Sequence, residues 1–317
     1  MTNKPKISII LPCYNESEVL PTTVSELLKL LDYMSQENMI DKSSYLLCCN
    51  DGSKDDTWKI INQLHSQDNR VKGISLTHNR GHQNVLLAGL MFVIDRCDAA
   101  ISIDADLQDD PNAIVQMVKD FLEGKEIVYG VRSSRTCDTR FKRSTAHAFY
   151  RFQRLMGLET IYDHADYRLL SNRALHLLSE YGESNLYLRG IIPQIGLDNS
   201  IVTYERKARI GGVSKYPIAK MLSLSIDGIT SFSAKPMRLI FLIGVLLIII
   251  DVVVAIYVFF SYFTQNAISG WTSIMLSIWF LGGLILMGIG IVGEYIGKIF
   301  IEVKQRPRYA IKETIFD

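Results

Sequence analysis

Two aspartates flank one small residue, Asp104-Ala105-Asp106, just past an apolar run at residues 99–103. In an extended chain, residues i and i+2 face the same way. The pair therefore offers two hard oxygen donors to one divalent cation and leaves coordination positions for a substrate diphosphate. A cation held there would neutralise charge on a diphosphate as it departs. An acidic turn with no ligand has the same local sequence. The chemical reading is favoured because two further polar clusters stand at the ends of apolar runs.

The first of these is Leu11-Pro12-Cys13-Tyr14-Asn15-Glu16. Pro12 is expected to end a strand and shape a turn. Tyr14 offers a face on which a base can stack, and Asn15 and Glu16 offer polar contacts. A plain strand-to-helix turn capped by Asn15 or Ser17 would use the same residues. The second runs from Asn50 to Thr57, with Asp51-Gly52-Ser53 at its start. Asp51 could accept hydrogen bonds from a base, or the segment is a solvated turn leading into a helix. A dense basic run, Arg132, Arg135, Arg140, Lys142 and Arg143, suits phosphate, because guanidinium forks match its geometry. A solvated basic loop beside anionic lipid is the alternative.

The elements that position these clusters alternate. Strands are expected at residues 7–11, 45–50, 72–76, 99–104 and 127–131, with helices near 18–34, 56–67, 83–95 and 112–123. Such alternation predicts an α/β domain, residues 1–212, with a mostly parallel sheet covered on both faces. Ligands of such sheets sit at the carboxyl ends of the strands, where all three clusters fall. The N-terminal stretch reads as the first strand, since it lacks the long apolar core and cleavage site of a signal peptide.

Beyond residue 212 the pattern changes. In residues 213–235, Ile218, Met221, Leu222, Ile226 and Ile229 recur at helical spacing. An interfacial amphipathic helix fits, and so does a helix packed on the protein body. Residues 236–298 hold two apolar stretches, about 239–263 and 273–296, each longer than the roughly 20 residues that cross a bilayer. The loop between them has no Lys or Arg, whereas Lys235 and Arg238 precede the first and Lys298, Lys304, Arg306 and Arg308 follow the second. This asymmetry predicts a multi-pass protein of the cytoplasmic (inner) membrane, with both termini, the α/β domain and a 299–317 tail in the cytoplasm. Asp251 within the first stretch must face protein or water. Gly293 and Gly297 permit close helix approach, and hence a homo-oligomer through the spans.

Composition adds exclusions. With 34 Lys and Arg against 33 Asp and Glu, the net charge is +1, which favours no nucleic-acid partner. The five cysteines are scattered, without a CxxC pair, and read as reduced buried thiols.

The ordered segments PCYNE, NDGSKDDT, HNRGHQNVLLAGL and DADLQDDP resemble the family 2 glycosyltransferases, which have the Rossmann-like GT-A fold. Asp163-His164-Ala165-Asp166-Tyr167-Arg168-Leu169-Leu170 resembles the DxxDFRLL segment of polyprenyl-phosphate glycosyltransferases, with Tyr167 in place of Phe. Residues 209–216 resemble their RxxGxSKY segment. GEYIGK at 293–298 and VKQRPRY at 303–309 resemble the tail of the bactoprenol-phosphate glucosyltransferase branch, relatives of dolichol-phosphate mannose synthase. The Asn79-Arg80-Gly81-His82 stretch departs from the RNxG of many relatives.

The resemblance implies that Pro12, Tyr14, Glu16 and Asp51 hold the nucleoside, most often uridine, with Asn15, Gly52 and Ala105 in the same donor site. It implies Mg2+ or Mn2+ at Asp104, Asp106 and Gln108. Donor diphosphate and lipid phosphate would be bound by Arg132, Arg143, Arg209, Ser214 and Lys215. Asp166 would lie near the reacting carbon. The implied reaction is inverting transfer of a hexose, glucose above all, from a UDP-sugar to undecaprenyl or another polyprenyl phosphate for cell-envelope glycan modification. Galactose, N-acetyl sugars, modified arabinose and GDP-mannose are the alternative donors. A processive polysaccharide synthase is disfavoured because no tryptophan follows a QxxR pattern. A non-catalytic membrane scaffold is disfavoured by the intact motifs.

Overall fold

The computed structural model describes residues 4–133, 164–182, 188–205 and 270–316, together with positions 240, 242–244, 246, 249, 253 and 256. The chain divides into two compact units. One comprises residues 1–150, 159–215 and 306–317, and the other residues 151–158 and 216–305.

The first unit opens with strand–helix repeats: β1 (Ile7–Cys13), α1 (Leu20–Gln36), β2 (Tyr45–Asn50), α2 (Thr57–Gln67), β3 (Val71–Leu76) and α3 (His82–Phe92). Then come β4 (Ala99–Ser102), α4 (Ala113–Leu122), β5 (Ile127–Arg132), β6 (His164–Ser171), α5 (Asn172–Ser179), α6 (Leu188–Gln194) and β7 (Asn199–Tyr204). The C-terminal tail supplies β8 (Ile311–Ile315). All eight strands form one sheet, in the order β7-β5-β6-β4-β1-β2-β3-β8. Strands β1 to β5 and β7 run one way, and β6 and β8 run against them.

The expected mostly parallel α/β sheet is therefore present. Strands β1, β2 and β4 are buried at every position, as strands covered on both faces must be. One face is closed by α1, α2 and α4. The α1 residues Leu20, Val24, Leu27 and Leu31 share a core with Ile7, Ile9 and Leu11. Each such leucine contributes about 1.5–3 kcal/mol by leaving water. Helix α3 covers the other face, with Gly89 against Ile10 and Cys49.

Pro12 does not end β1, which runs on to Cys13 with Pro12 opposite Cys49. Ile10 and Pro12 turn their backbone toward β4, where the Ile103 amide donates to the Ile10 carbonyl. Strand β4 ends at Ser102, so the missing Pro12 N–H leaves no ladder bond unmade.

Three strands were not anticipated. Of these β6 matters most. It enters between β4 and β5 and pairs Arg168 with Ser102, so its N-terminal end meets the carboxyl end of β4. The β5–β6 register slips between Tyr129 and Val131. Gly130 sits in that slip, where a Cβ would stand 2.9 Å from the Tyr167 carbonyl oxygen.

In the second unit, α7 (Trp271–Val303) contains the second expected span but extends beyond it. Its 24-residue stretch Phe280–Val303 is long and apolar enough to cross a membrane, with mean hydropathy 1.8 over an 18-residue window of which no part is buried. The first expected span and Asp251 lie largely outside the described residues. The positions described there are helical, with Leu242, Leu246, Ile249, Val253 and Ile256 exposed. The 214–233 segment lies outside them entirely. Residues 299–317, expected as a separate tail, are divided: α7 takes those up to Val303, and Ile311–Ile315 joins the sheet.

Candidate active site

After β4 the chain leaves the ladder, yet the alternation persists. Asp104 and Asp106 are partly exposed and Ala105 between them is buried, its carbonyl accepting from Thr23 Oγ1 at 2.7 Å. Leu107 then takes φ 54°, and the Gln108 amide donates to Asp106 Oδ1 at 3.2 Å. Gln108 is buried. The Asp104 carboxyl is raised above its ordinary value by burial and by the like charges of Asp109, Asp166 and Asp106, against an opposing pull from His82.

Asp166 stands two residues before Arg168 on β6, and so beside the carboxyl end of β4. Two guanidiniums and one imidazole converge on it. Arg168 Nη2 donates to Oδ1 at 2.6 Å. Arg189, at the start of α6, places Nε 3.2 Å from Oδ1 and Nη2 3.1 Å from Oδ2. His82 Nε2 lies 3.5 Å from Asp166 Oδ2 and 3.6 Å from Asp104 Oδ1. Burial would raise the Asp166 carboxyl. The His82 contact and the two guanidiniums outweigh it and hold the carboxyl well below the usual carboxylate range. The Asp166 and Arg168 side chains are 8% and 1% exposed, so this pair is fully internal. Ser102 Oγ fixes the strand by donating to the Asp166 carbonyl at 2.5 Å.

The other two polar clusters are stitched together. The Asn15 amide donates to Ser53 Oγ at 3.0 Å, and the Lys54 amide to Asn15 Oδ1 at 2.9 Å. The Glu16 amide donates to Thr57 Oγ1. Asn15, with φ 54°, does not cap α1; that helix begins after Val19 without a side-chain cap. Tyr14 remains 41% exposed. Asp51 is buried, and its two oxygens accept from the Arg80 amide at 2.7 Å and the Gly81 amide at 2.9 Å. It thereby pins the loop that leads to His82. Gly52, at φ 62°, lets the two loops touch, since a Cβ there would stand 2.7 Å from the His78 carbonyl carbon.

Arg132, at the end of β5, is aimed by a buried acid. Asp109 Oδ1 accepts from Arg132 Nη2 at 3.3 Å and from Tyr204 Oη at 2.8 Å. Arg143, Arg209, Ser214 and Lys215 lie outside the described residues. The structure thus joins Asp104, Asp106, Gln108 and Asp166 around the carboxyl end of β4, and joins Asn15 to the loop of Asp51 and Gly52. Four residues that sequence reasoning missed complete the arrangement: His82, Arg189, Asp109 and Tyr204. His82 was within reach, because it directly precedes the helix expected from residue 83. Arg189 carried no local signal.

The acidic pair fits a hard divalent cation. Among the described residues no three His, Cys, Asp or Glu side chains are placed to enclose an ion. Two partly exposed carboxylates with a neighbouring amide are a donor set that substrate oxygens would complete. The like charge crowding Asp104 is what such an ion relieves.

The family model described as glycosyl transferase family 2 matches residues 8–192. The uncharacterized glycosyltransferase YkoT of Bacillus subtilis is 48% identical over 99% of this chain and 94% of its own length. The SfII prophage-derived bactoprenol glucosyl transferase of Shigella flexneri is 37% identical over 98% of each chain. Among solved structures, glucosyl-3-phosphoglycerate synthase from Mycobacterium tuberculosis aligns with 71% of this chain and 78% of its own, at 16% identity and a TM-score of 0.43.

Proposed function

We propose that this chain, which belongs to glycosyl transferase family 2, moves a hexose from a nucleoside-diphosphate sugar to a polyprenyl phosphate at the cytoplasmic membrane face. The observation that carries this reading is Asp166, clamped by two arginines, beside the open Asp104–Asp106 pair. It supplies a cation-seeking group for a diphosphate next to an anchored guanidinium for a second phosphate. Relatives named bactoprenol glucosyl transferase, alignable over almost the whole chain, support the acceptor class and favour glucose as the sugar; UDP as its carrier is part of the proposal.

The reaction is a single displacement. An acceptor phosphate oxygen attacks the anomeric carbon, the bond from that carbon to the diphosphate oxygen breaks, and the configuration inverts. The acceptor phosphate is already ionised near neutral pH, so no strong base is required. Asp166 suits that chemistry, because a carboxylate held by two guanidiniums is a poor proton acceptor. Its work is to fix Arg189 and to set negative charge beside the sugar as positive charge develops there. Arg132, aimed by Asp109 and Tyr204, faces the donor diphosphate, while Tyr14 stacks on the base and Asp51 holds the adjoining loop. Asp104, Asp106 and Gln108 would hold Mg2+ or Mn2+, which when bound supplies charge neutralisation to the departing diphosphate.

Helix α7 supports membrane attachment, since its apolar surface is unburied and basic residues follow it. The test incubates membranes containing the protein with undecaprenyl phosphate and a panel of radiolabelled nucleotide-sugars. Label entering the organic phase identifies the donor, with UDP-glucose expected. No organic-phase label from any donor defeats the reading.

A further inference from the structure

We propose that the C-terminal tail, residues 306–316, is a positioning strap for this site, acting through Arg308; the inference rests on the transfer reaction proposed above. Strand β8 extends the sheet along β3, from Gly73 opposite Ile315 to Leu76 opposite Ile311, and the Thr77 amide adds a bond to the Ala310 carbonyl at 3.0 Å. Yet residues 311–314 are exposed, so the strand adds little to the core. Its fastenings are specific instead. Glu313 accepts from Trp58 Nε1 at 2.8 Å. Phe316 meets the rings of Tyr45 and Phe92 edge-on, at centroid distances of 5.4 and 5.2 Å. An element fastened this way, with so little buried, fixes the chain that precedes it.

That preceding chain reaches the site's supports. Arg308 is half-buried, as is Tyr309 after it, and Arg308 Nη2 donates to the Tyr181 carbonyl at 3.1 Å. Tyr181 lies just past α5, and the chain resumes as α6 at Leu188, whose second residue is Arg189. Leu188 is tied to the site from the other side. Its amide donates to Gln83 Oε1 at 3.2 Å, and its carbonyl accepts from Arg168 Nη1 at 3.4 Å. Arg308 thus holds the chain leaving α5 at Tyr181, while Gln83 and Arg168 hold the start of α6 at Leu188. The tail also bonds the chain at Thr77, at the head of the loop that carries His82. It borders both segments that bring Arg189 and His82 to Asp166.

The test compares full-length wild type, Arg308→Ala, Arg308→Lys and Trp58→Phe. It reads kcat and KM for donor and acceptor, and hydrogen exchange at the amides of residues 189–192. Arg308→Ala is expected to lower kcat roughly tenfold, the scale of a misaligned but intact site. Donor KM should hold, and exchange at 189–192 should rise. Arg308→Lys should recover most of both, and Trp58→Phe, which removes one fastening of β8, should move kcat and exchange in the same direction as Arg308→Ala but by less. Unchanged exchange in Arg308→Ala overturns the proposal, as does a kcat loss matched by loss of folded protein. Should wild type itself move no sugar to polyprenyl phosphate, the functional reading falls, and the exchange data alone decide whether Arg308 holds α6.

Discussion

Two acidic centres stand one strand apart and are set in opposite ways. At the end of β4, Asp104 and Asp106 are half-open, and the Asp104 carboxyl is pushed up by burial and by neighbouring carboxylates. At the start of β6, Asp166 is enclosed and pulled down by His82, Arg168 and Arg189. The same residue type serves two purposes. On the proposed reading the first centre takes a cation from solution, whereas the second is already paired with the guanidiniums of Arg168 and Arg189. Neutralising the first should therefore spare the fold and stop the chemistry, whereas neutralising the second should damage both.

The largest effect is expected from Asp166→Asn. It strands Arg168, 1% exposed, without its anionic partner. Breaking a buried pair from one side costs about 3–5 kcal/mol, readable by denaturant unfolding. The sign with pH follows from the depressed carboxyl. The stability that Asp166 contributes is fully present above the ordinary carboxylate value and is lost as pH falls through its folded value. The gap between wild type and Asp166→Asn should therefore close on acidification.

Asp106→Asn comes next. It should cut turnover about 10²–10³-fold, the scale of losing one preorganised electrostatic contact, while the unfolding midpoint stays at the wild-type value. A marked fall in stability would erase the contrast between the centres. Gly130→Ala sharpens it from the backbone side. The added methyl meets the Tyr167 carbonyl and disturbs the strand that carries Asp166. The expected cost is about 1–3 kcal/mol, measured by thermal unfolding. Arg189→Lys keeps the charge but loses the two-point grip, since both Nε and Nη2 engage Asp166. About a tenfold loss in kcat is expected, with little change in stability, because Arg189 is 42% exposed.

The acidic pair and the first five strands were legible because local rules govern them. Apolar runs ended at polar clusters, and period-two alternation gave Asp104 and Asp106 a common side. Asp166 was legible as a motif, but its strand was not. Asp166 and Arg168 interrupt the apolar pattern of β6, and it is their pairing with each other and with partners from α3 and α6 that lets them lie buried. Arg189 approaches Asp166 across 23 positions of sequence, a closeness set by the reversal of β6 and the docking of α6. Strand β8 was invisible because it buries almost nothing and borrows its order from the edge of β3. Pro12 misled for a related reason: whether a missing N–H matters depends on how far the neighbouring strand extends.

The most direct test is single-turnover transfer of labelled glucose from UDP-glucose to undecaprenyl phosphate by purified protein, with and without chelator, for wild type and Asp106→Asn. Label should reach the lipid only with divalent cation present and Asp106 intact. Undiminished transfer under chelation, together with an unimpaired Asp106→Asn, would contradict the assignment of the acidic pair.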